Sequence, residues 1–206
     1  MVGLSGSHNA AAALFAAAFF MLAPMTMAVR AAEPAAEPAA VPPKAQACVA
    51  CHGPEGNSPT PAIPSLAAQP AQFIATQLLM FREGRRKDAQ MSPFAAGLTN
   101  ADLNSIAAYF STQKLAPPTQ TTDPAVAEAG ARIAKQYNCT QGHGAVLQGQ
   151  QHIPRLAGQQ AEYLKVQLRG FKAGTRFDMD GQMTSAALPL TDADITALAE
   201  YMAGLN

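Results

Sequence analysis

The most regular apolar spacing in the chain lies in two segments, each of which is followed by a glycine. Their apolar residues recur every three or four positions, which is the spacing of one helix face. These residues are Phe73, Ile74, Leu78 and Phe81 in the first segment and Tyr163, Leu164, Leu168 and Phe171 in the second. Gly84 and Gly174 then stand where helices commonly end. The pattern therefore predicts two amphipathic helices.

A second pair of helices is predicted further along each half, and each helix opens with a capping box. Thr99 and Asp102 form the first box, and Thr191 and Asp194 form the second. The apolar residues expected to be buried are Leu103, Ile106 and Phe110 in one helix and Ile195, Leu198 and Met202 in the other.

One further helix is predicted in the second half of the chain. Asp123 is a favourable N-cap, and Pro124 follows at the first helical position. Val126, Ile133 and Tyr137 lie along the segment that follows. No segment alternates between apolar and polar residues as a strand does, so the pattern predicts an all-α fold.

The two halves of the chain are internal copies. The segment Ile63–Ala67 recurs as Ile153–Ala157, with an offset of 90 residues. Gln90-Met91 recurs as Gln182-Met183 with an offset of 92, because the loops differ by one or two residues. A repeat of this length indicates duplicated domains rather than a solenoid. We predict a first domain over residues 44–120 and a second over residues 121–206.

Each half also contains a sequence with the chemistry of a haem site. Cys48-Val49-Ala50-Cys51-His52 reads Cys-x-x-Cys-His, the attachment signature of c-type haem. Two thiols on one side of a helical turn can reach both porphyrin vinyl groups, and His52 supplies the proximal iron ligand. Zinc would need a second pair of ligands nearby, and the first half of the chain offers none. In the second half, His143 stands 91 residues after His52.

The repeat also selects the second axial ligand of each iron. Met91 and Met183 recur between a helix-ending glycine and a capping box, whereas Met80 and Met179 have no methionine counterpart. Methionine most often fills gaps in a core. A recurrent methionine in a loop can instead lie over the distal face of a haem, where it raises the reduction potential. We therefore predict loop positions and iron ligation for both.

Two recurrent features accompany these ligands. Pro64 and Pro154 either mark a turn or place a backbone carbonyl that accepts the Nδ1–H of the axial histidine. The basic residues Arg82, Arg85, Arg86 and Lys87 are predicted to form a solvated helix end, and the alternative is a haem propionate partner or a docking patch.

Residues 1–31 have the composition of an export signal. Residues 10–23 form an unbroken apolar segment, and Ala28 and Ala31 are small residues of the kind found at cleavage sites. Residues 1–9 carry no lysine or arginine, and Pro24 interrupts the apolar segment. We predict a cleaved signal and a periplasmic protein; the alternative is an uncleaved membrane anchor. Residues 32–43, rich in alanine and proline, are predicted to form a linker.

The charges are nearly balanced in both predicted domains. Residues 44–120 contain six basic and four acidic residues, and residues 121–206 contain seven and eight. This balance does not indicate a nucleic-acid partner, so attraction to a redox partner must depend on local charges.

The quoted motifs together resemble the cytochrome c4 family. CVACHGPEGNSPTPAIPSLAAQ and QMSPFAAGLT are similar to its first domain, and HIPRLAGQQAEYLKVQLRGFKAGTR and QMTSAALPLTDADITALAEYMAGL to its second. The resemblance implies two cytochrome c folds with two haem c groups and a periplasmic or membrane-associated electron shuttle toward a terminal oxidase. The residues it implies for haem binding are His52, Met91, His143 and Met183 at the irons and Cys48, Cys51 and Cys139 at the thioethers.

The second motif departs from the family at Gly142, which stands where the family has its fourth cysteine. Three cysteines are an odd number, which calls for an explanation in an exported protein. One interpretation is a haem linked through Cys139 alone, and another is a second domain without haem. The third is a substitution or a sequence error, since Cys and Gly codons can differ by one nucleotide. The recurrence of His143, Pro154 and Met183 favours two haems.

Three functions agree with this sequence. The first is a dihaem electron carrier that is not an enzyme, because no nucleophile and base recur together and each iron is expected to have two protein ligands. The second is an electron-transfer subunit of a periplasmic or membrane-bound dehydrogenase. The third is a haem enzyme or sensor in which one iron keeps an open position. The expected partners are a terminal oxidase, a quinol-oxidising complex or a dehydrogenase.

Overall fold

The computed structural model describes residues 40–206, which belong to one compact unit. Within this range the helices are α1 (Gln46–His52), α2 (Ala71–Arg82), α3 (Met91–Ala96), α4 (Asn100–Thr112), α5 (Pro124–Gln136), α6 (Cys139–His143), α7 (Ala161–Lys172), α8 (Gln182–Ala187) and α9 (Asp192–Ala203). Short 3₁₀ turns at Pro43–Ala45 and Pro54–Gly56 flank α1. No β-strand forms between residues 40 and 206, which agrees with the predicted all-α fold.

Most of the predictions for the N-terminal residues concern residues outside the described range. The predicted export signal and residues 32–39 of the predicted linker lie outside the described residues. At the end of that linker, Val41 packs against the first core and Pro43 opens a 3₁₀ turn. The folded part therefore begins a few residues before the predicted boundary at Lys44. Among residues 40–206, no helix combines the length and the apolar character needed to cross a membrane.

Each copy of the repeat builds its own hydrophobic core. In the first copy, α2 packs on α4, and the predicted residues Ile74, Leu78, Leu103, Ile106 and Phe110 are all buried. In the second copy, α7 and α5 both pack on α9, and the corresponding buried residues are Leu164, Leu168, Phe171, Ile195, Leu198 and Met202. The helical spacing read from the sequence therefore identified the buried faces in both copies.

The predicted helix starts are formed by the predicted caps. Thr99 and Thr191 each accept the N–H of the aspartate three residues later, and that aspartate accepts their own N–H at 2.8 Å. Asp123 accepts the N–H of Ala125 at 2.8 Å. These side chains satisfy N–H groups that lack partners inside a helix. Tyr137 differs slightly from its prediction, because it caps α5 and is not part of it.

Helices α5 and α9 are in close contact at Gly130. A Cβ added there would overlap the carbonyl oxygen of Ala197 and the Cβ of Tyr201. The close packing of α5 on α9 therefore depends on the absence of a side chain at Gly130. It does not depend on an unusual backbone angle there.

We expect Gly130→Ala to destabilise the haem-loaded protein. Overpacking costs ~1–3 kcal/mol, which exceeds the roughly 1 kcal/mol that alanine contributes as a better helix former. Gly97→Ala is the matched control, because a Cβ at position 97 meets nothing within 4 Å. Denaturant titration of both variants measures the difference. Equal unfolding free energies for the two would contradict close packing at Gly130.

The two copies meet through a polar interface. Gln160 Nε2 donates to the carbonyl oxygen of Ser58 at 2.6 Å, and Tyr163 N–H donates to Pro61 at 3.1 Å. Asn57 binds the connecting segment through Lys114 and Ala116, at 3.0 and 2.8 Å. These hydrogen bonds together hold the two copies in one arrangement.

Candidate haem-binding sites

The two candidate axial histidines have the same surroundings. His52 ends α1, and His143 ends α6. A glycine with positive φ follows each of them, at +79° for Gly53 and +87° for Gly144, a conformation that suits glycine. The helix stops there, and the chain leaves at an angle that other residues seldom adopt. The histidines are 5% and 6% exposed, so both rings are enclosed by protein.

Each imidazole is oriented by the carbonyl group of the recurrent proline. The Nδ1 atom of His52 lies 2.8 Å from the carbonyl oxygen of Pro64, and that of His143 lies 2.8 Å from Pro154. Since a carbonyl oxygen only accepts hydrogen bonds, Nδ1 carries the proton and Nε2 does not. Among residues 40–206, Nε2 of neither histidine has a hydrogen-bond partner. This tautomer leaves Nε2 available to bind iron.

Burial favours the neutral form of both rings. It lowers the pKa of His52 and of His143 below the ordinary value for histidine, and the hydrogen bond to the proline carbonyl opposes this effect only partly. A protonated Nε2 cannot bind a metal. The surroundings therefore hold each imidazole in its ligating state at neutral pH.

The cysteines are free thiols positioned near each core. Cys48 and Cys139 pack partly buried against the first and second cores, while Cys51 is exposed. Burial raises the pKa of both Cys48 and Cys139 above the ordinary value, so these thiols stay protonated. The arrangement is that of structural thiols and not of a reactive thiolate.

The two candidate methionines lie on short helices, which corrects the prediction that they lie in loops. Met91 is the first residue of α3, and Met183 lies in the first turn of α8. Asp88 accepts the N–H of Met91 at 2.8 Å, and Asp178 accepts that of Met183 at 2.8 Å. Carboxylates that bind these N–H groups start a helix where the sequence showed no standard cap. Both methionines are partly buried and pack against the same cores as the cysteines.

The backbone at Gly142 accommodates a side chain. A Cβ at this position would meet only Ile153 Cδ1, at the ordinary contact distance of 3.8 Å. Gly142 lies inside α6 and does not have a positive φ. The fold therefore does not require glycine at this position.

Arg86 differs from the prediction of a solvated helix end. Arg85 and Lys87 are exposed as predicted, but Arg86 points into the interface between the copies. It donates to Gln77 at 2.7 Å and to Gln167 at 3.1 Å, and its guanidinium lies 4.5 Å from the ring centre of Phe81. Its counterpart, 90 residues later, was not singled out from the sequence.

That counterpart is Arg176, which lies against Phe171 and donates to Gln167. Burial lowers its pKa to about 10, and its Nε is buried without a hydrogen-bond partner among the described residues. Within residues 40–206, neither Arg176 nor Arg86 forms a salt bridge. Asp178 acts on Arg176 only from beyond salt-bridge distance, so the two guanidiniums fit a further ligand that carries negative charge, as the propionates of haem do. The recurrence at an offset of 90 is the sequence signal that would have identified Arg176.

These features fit haem in both copies: an oriented neutral imidazole, a methionine on a short helix, a thiol at the core and an arginine that forms no salt bridge with the described residues. Residues 40–206 contain no cluster of three His, Cys, Asp or Glu side chains of the kind that binds a bare metal ion.

Comparisons with known proteins agree with this geometry. The family model for cytochrome c matches residues 127–206, and that for cytochrome c oxidase, cbb3-type, subunit III matches residues 36–110. Cytochrome c4 of Thiocapsa roseopersicina is 37% identical over 170 residues, which cover 77% of this chain and 87% of that protein. The thiosulfate dehydrogenase electron acceptor of Thiomonas intermedia is 37% identical over 175 residues, covering 79% of this chain and 80% of that protein.

The structural comparison extends to both copies of the repeat. The crystal structure of reduced recombinant cytochrome c4 from Pseudomonas stutzeri matches with a TM-score of 0.74 at 35% identity, and the match covers 79% of this chain and 95% of that chain. The resemblance found in the sequence is thereby confirmed. The chain belongs to the cytochrome c4 family, and its fold consists of two cytochrome c domains.

Proposed function

We propose that this protein is a periplasmic dihaem electron carrier that delivers electrons to a terminal oxidase. The observation that carries the proposal is the repeated site, in which a buried neutral histidine is oriented by a proline carbonyl at 2.8 Å in both copies. The first domain, residues 44–120, holds its haem through Cys48, Cys51, His52 and Met91. The second, residues 121–206, uses Cys139, His143 and Met183, with a single thioether to Cys139.

The roles of the protein groups follow from their positions. A bound haem supplies a one-electron iron couple. The proline carbonyls fix the imidazole planes and keep the proton on Nδ1, and the partly buried methionines would supply a thioether ligand to the iron. With two protein ligands bound, neither iron would keep an open position for a substrate. This arrangement supports electron transfer in place of catalysis on a bound substrate.

A second candidate concerns the electron donor. The relative from Thiomonas intermedia is named for accepting electrons from thiosulfate dehydrogenase. This name favours a role for the present protein as the acceptor subunit of a periplasmic or membrane-bound dehydrogenase, and an uncleaved export signal would hold it at the membrane. The two roles differ in the redox partner and not in the haem domains.

We expect the reduced protein to be oxidised rapidly by an oxidase preparation and to show only background turnover with peroxide. Saturation of both irons by protein ligands is the reason. Stopped-flow absorbance at the α-band measures both reactions, and a dehydrogenase preparation with thiosulfate tests the second candidate. Substantial peroxide turnover, or fast carbon monoxide binding by the untreated reduced protein, would instead indicate an open iron site.

A further inference from the structure

Two buried glutamines link the axial-histidine sites across the domain interface. Gln159, in the second domain, is 4% exposed, and Gln69, in the first, is 3% exposed. The Oε1 atom of Gln159 accepts the N–H of Ser65 at 2.7 Å, and its Nε2 donates to the carbonyl oxygen of Ser65 at 2.9 Å. Gln69 makes the same pair of bonds to Arg155, at 3.0 and 2.9 Å. Each amide thus binds the backbone of the other domain twice.

The residues bound in this way follow the prolines that orient the histidines. The N–H of Ser65 belongs to the same peptide group as the carbonyl oxygen of Pro64, which accepts the Nδ1–H of His52. One planar group therefore donates to Gln159 on one side and accepts from His52 on the other.

The second domain repeats this arrangement. The peptide group between Pro154 and Arg155 accepts from His143 through its oxygen and donates to Gln69 through its nitrogen. The histidine of each domain is therefore joined to a glutamine of the other domain through one peptide group.

Such a chain of hydrogen bonds acts on the basicity of the imidazole. Donation of the peptide N–H to a glutamine oxygen polarises the peptide group and makes its carbonyl oxygen a stronger acceptor. A stronger acceptor at Nδ1–H makes the imidazole a more basic ligand, which favours the oxidised iron. Loss of the glutamine acceptor therefore raises the reduction potential of the haem on that histidine.

We propose that Gln159 and Gln69 are positioning residues that act across the interface, so that each domain sets the reduction potential of the haem in the other. The inference rests on the proposed haem function and adds that the two potentials depend on the docking of the domains. Both side chains are almost fully buried, and their bonds are confined to the backbone beside the haem-site prolines and, for Gln159, the neighbouring N–H of Gln160. Because they are buried, neither glutamine can bind a partner at the protein surface.

The test is potentiometry of the holoprotein with Gln159→Met or Gln69→Met, which keep side-chain length but remove the amide. Gln159→Met should raise the potential of the first-domain haem, and Gln69→Met that of the second. The expected shift is about threefold in the reduction equilibrium constant, or ~28 mV for a one-electron couple at 59 mV per tenfold. NMR signals of the axial methionine methyl groups, assigned with variants of Met91 and Met183, report each haem separately.

Gln160→Met is the matched control. Gln160 also donates across the interface, to Ser58 at 2.6 Å, but it does not contact the peptide group beside either proline. This variant should leave both potentials unchanged. A shift of both haems in all three variants would show general loosening of the interface and would overturn the proposal, as would unshifted potentials in both glutamine variants.

A measurement on the unmodified protein covers the case in which the variants do not fold. In reduced holoprotein, the amide nitrogen of Ser65 should show a coupling through the hydrogen bond to the side-chain carbonyl carbon of Gln159. Absence of that coupling contradicts the inference. Failure of the proposed dihaem function would be recognised differently, by one haem per chain in a pyridine haemochrome assay. In that case Gln159→Met still tests the inference for the haem of the first domain.

Discussion

Replacing Met91 by alanine should abolish the near-infrared sulfur-to-iron band of the first domain and lower its reduction potential by more than about 100 mV, since axial ligands tune haem potentials over about 0.8 V. The substitution removes the thioether of Met91 and no other candidate ligand. Met91 packs against the first core, and its N–H is held by Asp88 at 2.8 Å, so the variant should retain the start of α3. Absorbance in the near infrared and potentiometry measure both effects.

Met183 allows the same experiment in the second domain, and Met179 provides a control. Met183→Ala should remove the corresponding band of the second domain, because Met183 occupies the equivalent turn of α8. Met179→Ala should change neither band nor potential, because Met179 is 60% exposed and has no counterpart in the repeat. An unchanged band in Met91→Ala would show that another group binds the first iron.

Introducing cysteine at position 142 should convert the second haem from one thioether to two. With one thioether, a porphyrin vinyl group stays conjugated with the ring, and the pyridine haemochrome spectrum should contain an α-band between those of c-type and b-type haem. Gly142→Cys should move this component to the c-type position and raise haem occupancy. The Cβ fits without displacement, since its nearest neighbour is Ile153 Cδ1 at 3.8 Å.

Gly142→Ala separates the thiol from the added carbon. It places the same Cβ in α6 but offers no sulfur, so the intermediate α-band should remain. Alkylation of the protein as isolated tests the proposed thioether at Cys139. An alkylatable Cys139 with one haem per chain would show an empty second domain, and an alkylatable Cys139 with two haems would show a haem held without a thioether.

The repeat also explains how much of each candidate site was accessible from the sequence. Cys48, Cys51 and His52 form a local motif, whose spacing alone places them on one helical turn. Asp88 and Asp178 start the short helices of the methionines from three and five residues away, and these contacts depend on how the loops fold. The prediction of loops at Met91 and Met183 was wrong for that reason.

By itself, the sequence determined the five longer helices, their buried faces and the family. Apolar spacing and capping boxes are local properties, and a duplication makes each of them visible twice. Only the tertiary structure decided which groups of one domain bind the other. Arg86 was predicted to be solvated, yet it shares Gln77 and Gln167 with Arg176 across the interface. Gln69 and Gln159 reach residues 86 and 94 positions away. Hydrogen bonds over such separations leave no periodic signal, because they depend on domain packing and not on the spacing of residues along a helix.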